Sequence, residues 1–261
     1  MSLRTATFWT PVAIALLLAG MMFSGCDGGA QEPPAEPEPP AEATEREMPE
    51  APEPAESERS EAEEQPEPMH QGAPDEYIEL GAPAPEFALP DVVTGETVSL
   101  ADMADKDVLV VIVMCRHCPY VKHVLTALVE FGNDYRDKSV GIVGISANDA
   151  EKYEQDSPES LKEIAEEVDL PFPLIYDESQ EVVTALAATA TPEFYVFDED
   201  RKLRYHGQFD DTRPGGDAPT GEDVRQAVDA LLAGVMVSED QTPAVGCSIK
   251  WKPGNRPPYL K

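Results

Sequence analysis

Positive charge is what this sequence has least of. Its 261 residues carry 51 acidic side chains against 19 lysines and arginines, a net charge of −32. Such a surface repels phosphate backbones and excludes nucleic acid as a partner. Charge of either sign is missing from residues 5–26, where the apolar run "PVAIALLLAGMMF" follows Arg4. That run fits the roughly 7–15 residue core of a secretory signal better than the roughly 20 residues a spanning helix needs. Large apolar side chains are almost absent from residues 27–76, where 17 acidic residues and 11 prolines accompany two basic ones, Arg46 and Arg59. That composition cannot bury a core. It gives a disordered acidic spacer, between about 40 Å long as flexible coil and about 150 Å as polyproline II. Cysteine is scarce as well, at four positions: Cys26, Cys115, Cys118 and Cys247. There is no internal repeat.

Export is the reading of residues 1–26. They end in Phe23-Ser24-Gly25-Cys26, which resembles the bacterial lipoprotein processing box, where small residues precede a cysteine that receives lipid and becomes the new N-terminus. Phe23 stands where leucine is usual. An ordinary cleaved signal or an uncleaved anchor are the alternatives. Lipid on Cys26 would tether the chain to a membrane of the bacterial cell envelope, with the rest outside the cytoplasm on the periplasmic side.

The remaining 185 residues, 77–261, suffice for one domain with a substantial core. They hold 34 acidic and 16 basic residues, a net of −18, yet from Gln241 onward there are four basic residues and no acidic one. "VLVVIV" at 108–113 is apolar without alternation, as expected for a strand covered on both faces. "VGIVGI" (140–145), "FPLIY" (172–176) and "FYVF" (194–197) repeat the theme. Val121, Val124, Leu125 and Leu128 follow helical spacing, and Ser157-Pro158 supplies an N-cap and first-position proline for "ESLKEIAEEV". Weaker helical signal covers 180–188, and a last helix over 222–232 ends at Gly234. After "FYVF", a turn at 198–201 leads into "KLRYHGQF" as an antiparallel neighbour. The alternation predicts an α/β fold with a mostly parallel central sheet, an antiparallel edge and helices on both faces.

"VMCRHCPYVKH" sets Cys115 and Cys118 three residues apart, directly after a buried strand and opening a helix. In a βα context this spacing reads as a thioredoxin-like redox motif. A helix starting near Cys115 would put that sulfur at the positive end of the dipole, with Arg116 and His117 also favouring negative charge. The expectation is a Cys115 pKa below the free value of about 8.5, Cys115 as attacking thiol and Cys118, one turn further in and more shielded, as resolving thiol. Each unit of lowering stabilises the reduced thiolate by about 1.4 kcal/mol, or about 30 mV, and makes the disulfide more oxidising. Pro119 is compatible with a first helical turn. Pro192, just before "EFYVF", marks the start of that strand, because proline is not tolerated inside a central one.

"GAPAPEFALPDVVTGETVSLADM" resembles the N-terminal signature of the redoxin superfamily that holds the alkyl hydroperoxide reductase and thiol-specific antioxidant proteins. "CRHCPYVKHV", "ISANDAEKYEQDSPESLKEIAEE", "PFPLIYDESQEV", "TPEFYVFD", "YHGQFDDTRPG" and "GCSIKWKPG" are similar to its peroxiredoxin-like, thioredoxin-domain branch. The resemblance implies a thioredoxin-like fold over 77–261, Cys115 and Cys118 as redox pair, and Pro192 as a cis-proline beside a backbone edge that pairs with substrate chains. The cysteine pair itself predicts thiol or disulfide protein substrates, a reducing or oxidising partner, and no cofactor. One departure matters: the peroxidatic P-x-x-x-T/S-x-x-C loop is missing, with Val111 and Cys115 at those places before Cys118, and Val108 and Ile112 before Cys115.

Thiol–disulfide exchange is the function these residues predict, with thiol-dependent peroxidase activity as alternative. A Sco-type copper-delivery protein is the alternative outside enzymes, since thiolate and imidazole suit Cu(I). His117 and His123 are about 240° apart on a helix, however, and cannot share an ion. His206 reads as a surface-strand histidine, and Lys122 and His123 as the polar face of the helix. Glu193 reads as a strand-end carboxylate or a proton relay to Cys118. Cys247 leaves an odd count of three cysteines in the domain. Its basic, aromatic setting on an acidic domain suggests a tail drawn back by charge, bringing Cys247 near the CxxC as an auxiliary resolving thiol, to be trapped on Cys115 when Cys118 is removed.

Overall fold

The computed structural model describes residues 78–260. The expected export signal, the Cys26 lipid site and the acidic arm lie outside the described residues. An antiparallel pair, β1 (Ala88–Pro90) and β2 (Thr97–Ser99), turns at Asp91. The Asp91 carboxylate accepts the amides of Val93 and Thr94, and it also accepts Leu174 N–H at 3.0 Å, which fastens the hairpin to the sheet.

Five strands make that sheet: β3 (Val108–Val113), β4 (Val140–Ser146), β5 (Leu174–Tyr176), β7 (Glu193–Phe197) and β8 (Leu203–Gly207), in the order β5-β4-β3-β7-β8. Strands β3, β4 and β5 run parallel, while β7 is antiparallel to β3 and β8 to β7. The antiparallel side therefore begins at β7, inside the sheet. That reversal sets Val113, the last residue of β3, opposite Glu193, the first of β7. Two short strands, β6 (Ala190–Thr191) and β9 (Cys247–Ser248), form a separate antiparallel ribbon beside this junction.

The uniform apolar run of β3 serves two cores. Val108, Val110 and Ile112 face α1 (Pro119–Tyr135), α2 (Pro158–Glu167) and α4 (Glu222–Leu232), packing with Val121, Leu128 and Leu161. Leu109, Val111 and Val113 face the opposite side, with Ile145, Ile175 and α3 (Glu181–Ala185). Each fully buried aliphatic side chain contributes roughly 1.5–3 kcal/mol by leaving water. The α3 helix is shorter than its sequence signal over 180–188, and begins after Gln180 at φ 64. Strands on one sheet with helices on both faces, in this order and direction, constitute a thioredoxin-like α/β fold. Among the described residues, no helix is long and apolar enough to cross a membrane.

Candidate active site

Sequence dictates the turn after β3 through Pro119. Proline is suited to the first helical position, and it holds that position in α1, so Cys118 is the N-cap. The helix consequently starts later than expected from the cysteine spacing: Cys115 lies outside it and Cys118 takes the positive end of its dipole. Both sulfurs are buried, Cys115 at 1% and Cys118 at 0% exposure.

A carboxylate that sequence reasoning missed organises the turn. Asp156, fully buried, precedes the Ser157 N-cap of α2, where Ser157 Oγ accepts Ser160 N–H. Its Oδ1 accepts the amides of Arg116 at 2.8 Å and His117 at 3.1 Å, and its Oδ2 accepts Asn148 Nδ2 at 2.8 Å and contacts His117 Nδ1. Burial would raise the Asp156 pKa, yet the hydrogen bonds from His117 and Asn148 hold it below the ordinary value. The Arg116 guanidinium turns away, donating to the Ser160 carbonyl and pairing with Glu163 at 2.9 Å.

These contacts overturn the expected charge distribution. Burial pushes the Cys115 thiol well up, and its hydrogen bond with Cys118 and the nearby Asp156 charge push in the same direction. Cys118 is instead drawn far down, by hydrogen bonds from Cys115 and Cys247. The Arg116 and His117 side chains are engaged elsewhere, with Glu163 and Asp156. Of the two sulfurs, Cys118 is the one whose environment favours the thiolate.

Thr191 joins both sulfurs. Its Oγ1 is 3.3 Å from Cys115 Sγ, its carbonyl oxygen is 3.1 Å from Cys118 Sγ, and the Thr191–Pro192 peptide bond is cis. The backbone edge here is not left open, as expected for substrate pairing: β9 fills it, with Cys247 opposite Thr191. Gly246 is required at that contact, since a Cβ there would lie 2.0 Å from the Thr191 carbonyl oxygen. Cys247 Sγ thereby stands 2.8 Å from Cys118 Sγ, near the CxxC, with Cys118 as its neighbour in the pair. Hydrogen bonds and burial hold the tail as well as charge. Lys250 N–H donates to Asn148 Oδ1 and its carbonyl accepts Asp149 N–H, Ile249 is buried in the core, and Lys252 pairs with Glu178 at 3.6 Å.

The remaining candidates separate from the sulfurs. Glu193 turns its carboxylate to the Thr189 and Ala190 amides and to His206 Nε2 at 2.7 Å, so it positions β6. His206 is stacked on Tyr195, 4.5 Å between ring centres, and is not a surface side chain. His123 contacts Thr212, and Lys122 lies exposed along α1. Cys115 lines a cavity of about 660 Å³ between α1 and α2, with Val121, Leu125, Leu161 and Ile164 as apolar wall and Arg116 and Lys122 as basic members. Ligand-type atoms of Cys115, His117 and Asp156 fall within 4.8 Å of one another. A carboxylate in that set suits a harder ion than Cu(I).

Asn148 and Thr191 also escaped sequence reasoning: Asn148 sits in the "ISANDAEKYEQD" stretch, and Thr191 was noted only as the residue before proline. Against known proteins, the model of the family described as AhpC/TSA matches residues 80–206. The chain is 30% identical over 135 residues to a Mycobacterium tuberculosis protein named "Putative peroxiredoxin MT2597", covering 47% of this chain and 80% of that one. An uncharacterized conserved protein from Geobacillus kaustophilus is 50% identical, with TM-score 0.67 over 69% of this chain and 96% of its own. The hypothetical protein SMc02350 from Sinorhizobium meliloti 1021 is 40% identical, also with TM-score 0.67, over 69% and 98%.

Proposed function

Because the chain belongs to the AhpC/TSA family, we propose that it is a thiol–disulfide oxidoreductase working through Cys115 and Cys118. One observation carries the proposal: Thr191 touches both sulfurs, its hydroxyl on Cys115 and its carbonyl on Cys118, at the mouth of a helix. In the oxidised protein, a client thiolate attacks Cys115 Sγ, the sulfur that lines the cavity. The Cys115–Cys118 bond breaks and Cys118 leaves as a thiolate, the better leaving group for its low pKa. The client's second thiol then attacks its own sulfur in the mixed disulfide. Cys115 leaves and takes up the proton, as its raised pKa favours. The client is oxidised by two electrons and the pair is reduced.

Stabilising the reduced form makes a disulfide more oxidising. The expected activity is oxidation of dithiols, tested by mixing the oxidised full-length protein with dithiothreitol and following disulfide loss. Cys115→Ser and Cys118→Ser, each combined with Cys247→Ala, should lower the rate at least about 100-fold. Wild-type rates in both variants would overturn the proposal.

A thiol peroxidase is the second reading, favoured by the Thr191 hydroxyl 3.3 Å from Cys115, which supplies through space what the missing sequence motif would have supplied locally. A peroxidatic Cys115 must be ionised, and burial together with Asp156 opposes this. Disulfide exchange is therefore the stronger reading. The uncharged stretch of residues 5–26 and Cys26 support an exported, lipid-tethered protein whose clients are thiol proteins outside the cytoplasm.

A further inference from the structure

Two sulfurs suffice for the exchange above, yet the fold delivers three. Cys118 Sγ lies 2.8 Å from Cys247 Sγ and also bonds to Cys115, so it stands between the other two. The spacing points to disulfide chemistry. Cys115 lines the α1/α2 cavity, Cys118 is buried beside it, and Cys247 is half-buried on β9, the most exposed of the three. Gly246, which admits the close approach to Thr191, fixes that strand against the pair.

Resting on the Cys115–Cys118 reaction, we propose that Cys247 is the outlet of a three-sulfur relay, passing electrons taken in at Cys115 to a disulfide-bearing acceptor on the tail side of the domain. The reduced protein holds Cys115 and Cys247 as thiols and Cys118 as thiolate. Cys247 gives up its proton and attacks the acceptor disulfide, one acceptor sulfur leaving as thiolate to take that proton. Cys118 thiolate attacks Cys247 Sγ. The Cys118–Cys247 bond forms, the bond to the acceptor breaks, and the second acceptor sulfur leaves with the electron pair. Cys115 then gives its proton to solvent or acceptor and attacks Cys118 Sγ, closing Cys115–Cys118 and releasing Cys247 as thiolate, which is reprotonated from solvent. One client dithiol is oxidised and one acceptor disulfide reduced.

The test mixes reduced full-length protein with oxidised thioredoxin as a bulky acceptor, then quenches, alkylates and maps disulfides over time. A Cys118–Cys247 bond should appear before Cys115–Cys118, and it should accumulate in Cys115→Ser. Cys247→Ala should slow transfer to oxidised thioredoxin at least tenfold more than it slows oxidation of dithiothreitol. Gly246→Val, which keeps all three sulfurs but displaces the strand, should show the same bias. Absence of the Cys118–Cys247 bond in wild type and in Cys115→Ser, or wild-type transfer by Cys247→Ala, overturns the relay. The reading it rests on fails differently: Cys247→Ala, which keeps only the Cys115 and Cys118 thiols, would then form no Cys115–Cys118 disulfide on oxidation.

Discussion

If Cys118 is ionised and Cys115 protonated when the pair is reduced, then pH acts on the redox couple in a distinctive way. Between the depressed Cys118 pKa and the elevated Cys115 pKa, reduction takes up two electrons but one proton. Each proton taken up changes the equilibrium tenfold per pH unit, which for a two-electron couple is about 30 mV. The potential should fall by about 30 mV per pH unit from pH 5 to pH 8, where a pair of ordinary thiols with pKa about 8.5 would give about 60 mV. Equilibration of the full-length protein with glutathione at several pH values, scored by alkylation and mass, measures the slope. The sign for stability follows: ionisation of Cys118 stabilises the reduced fold fully above the free-thiol value of about 8.5. That contribution fades as pH falls toward the folded Cys118 pKa. A slope of about 60 mV per unit throughout, or a Cys118 thiol in Cys115→Ser that titrates near 8.5, would refute the assignment.

Asp156→Ala should destabilise the protein by about 3–5 kcal/mol, because it strips a buried carboxylate from His117 and from the Arg116 and His117 amides; urea unfolding measures it. The Asp156 carboxylate is held below its ordinary value, so its contribution is complete above about pH 3.9 and is lost as pH drops further, which acid unfolding of Asp156→Asn against wild type should display. Ser157→Ala should cost about 0.5–2 kcal/mol through loss of the α2 cap, read by thermal unfolding. Leu128→Ala, at a fully buried position of α1, should cost about 2–5 kcal/mol in the same assay.

The long elements were legible because each has its own signal. The strands β3, β4 and β7 are runs too apolar to be anything but two-sided interior, and α2 announces itself by Ser157-Pro158. The pieces that were not legible are short: β6 and β9 have two residues each, too few for any period, and they exist because their chains meet at Thr191 and Gly246. The charge on the wrong sulfur has a local explanation. Pro119 already stated that the helix cap is Cys118, whereas the cysteine spacing alone suggested Cys115. Asp156 was invisible for a different reason: 40 residues separate it from Arg116, and an aspartate before a helix is ordinary on a surface. Only the third dimension makes it an interior clamp.

The strand β9 lies where an extended client would have laid its own main chain, and the domain is thus its own permanent guest there. Recognition by threading a peptide along that border is closed. What is left beside Cys115 is a hollow of about 660 Å³, roomy for a compact thiol or the tip of a projecting loop and too small for a stretched backbone. Bulk and curvature of the client, more than the order of its residues, would then decide what this protein oxidises.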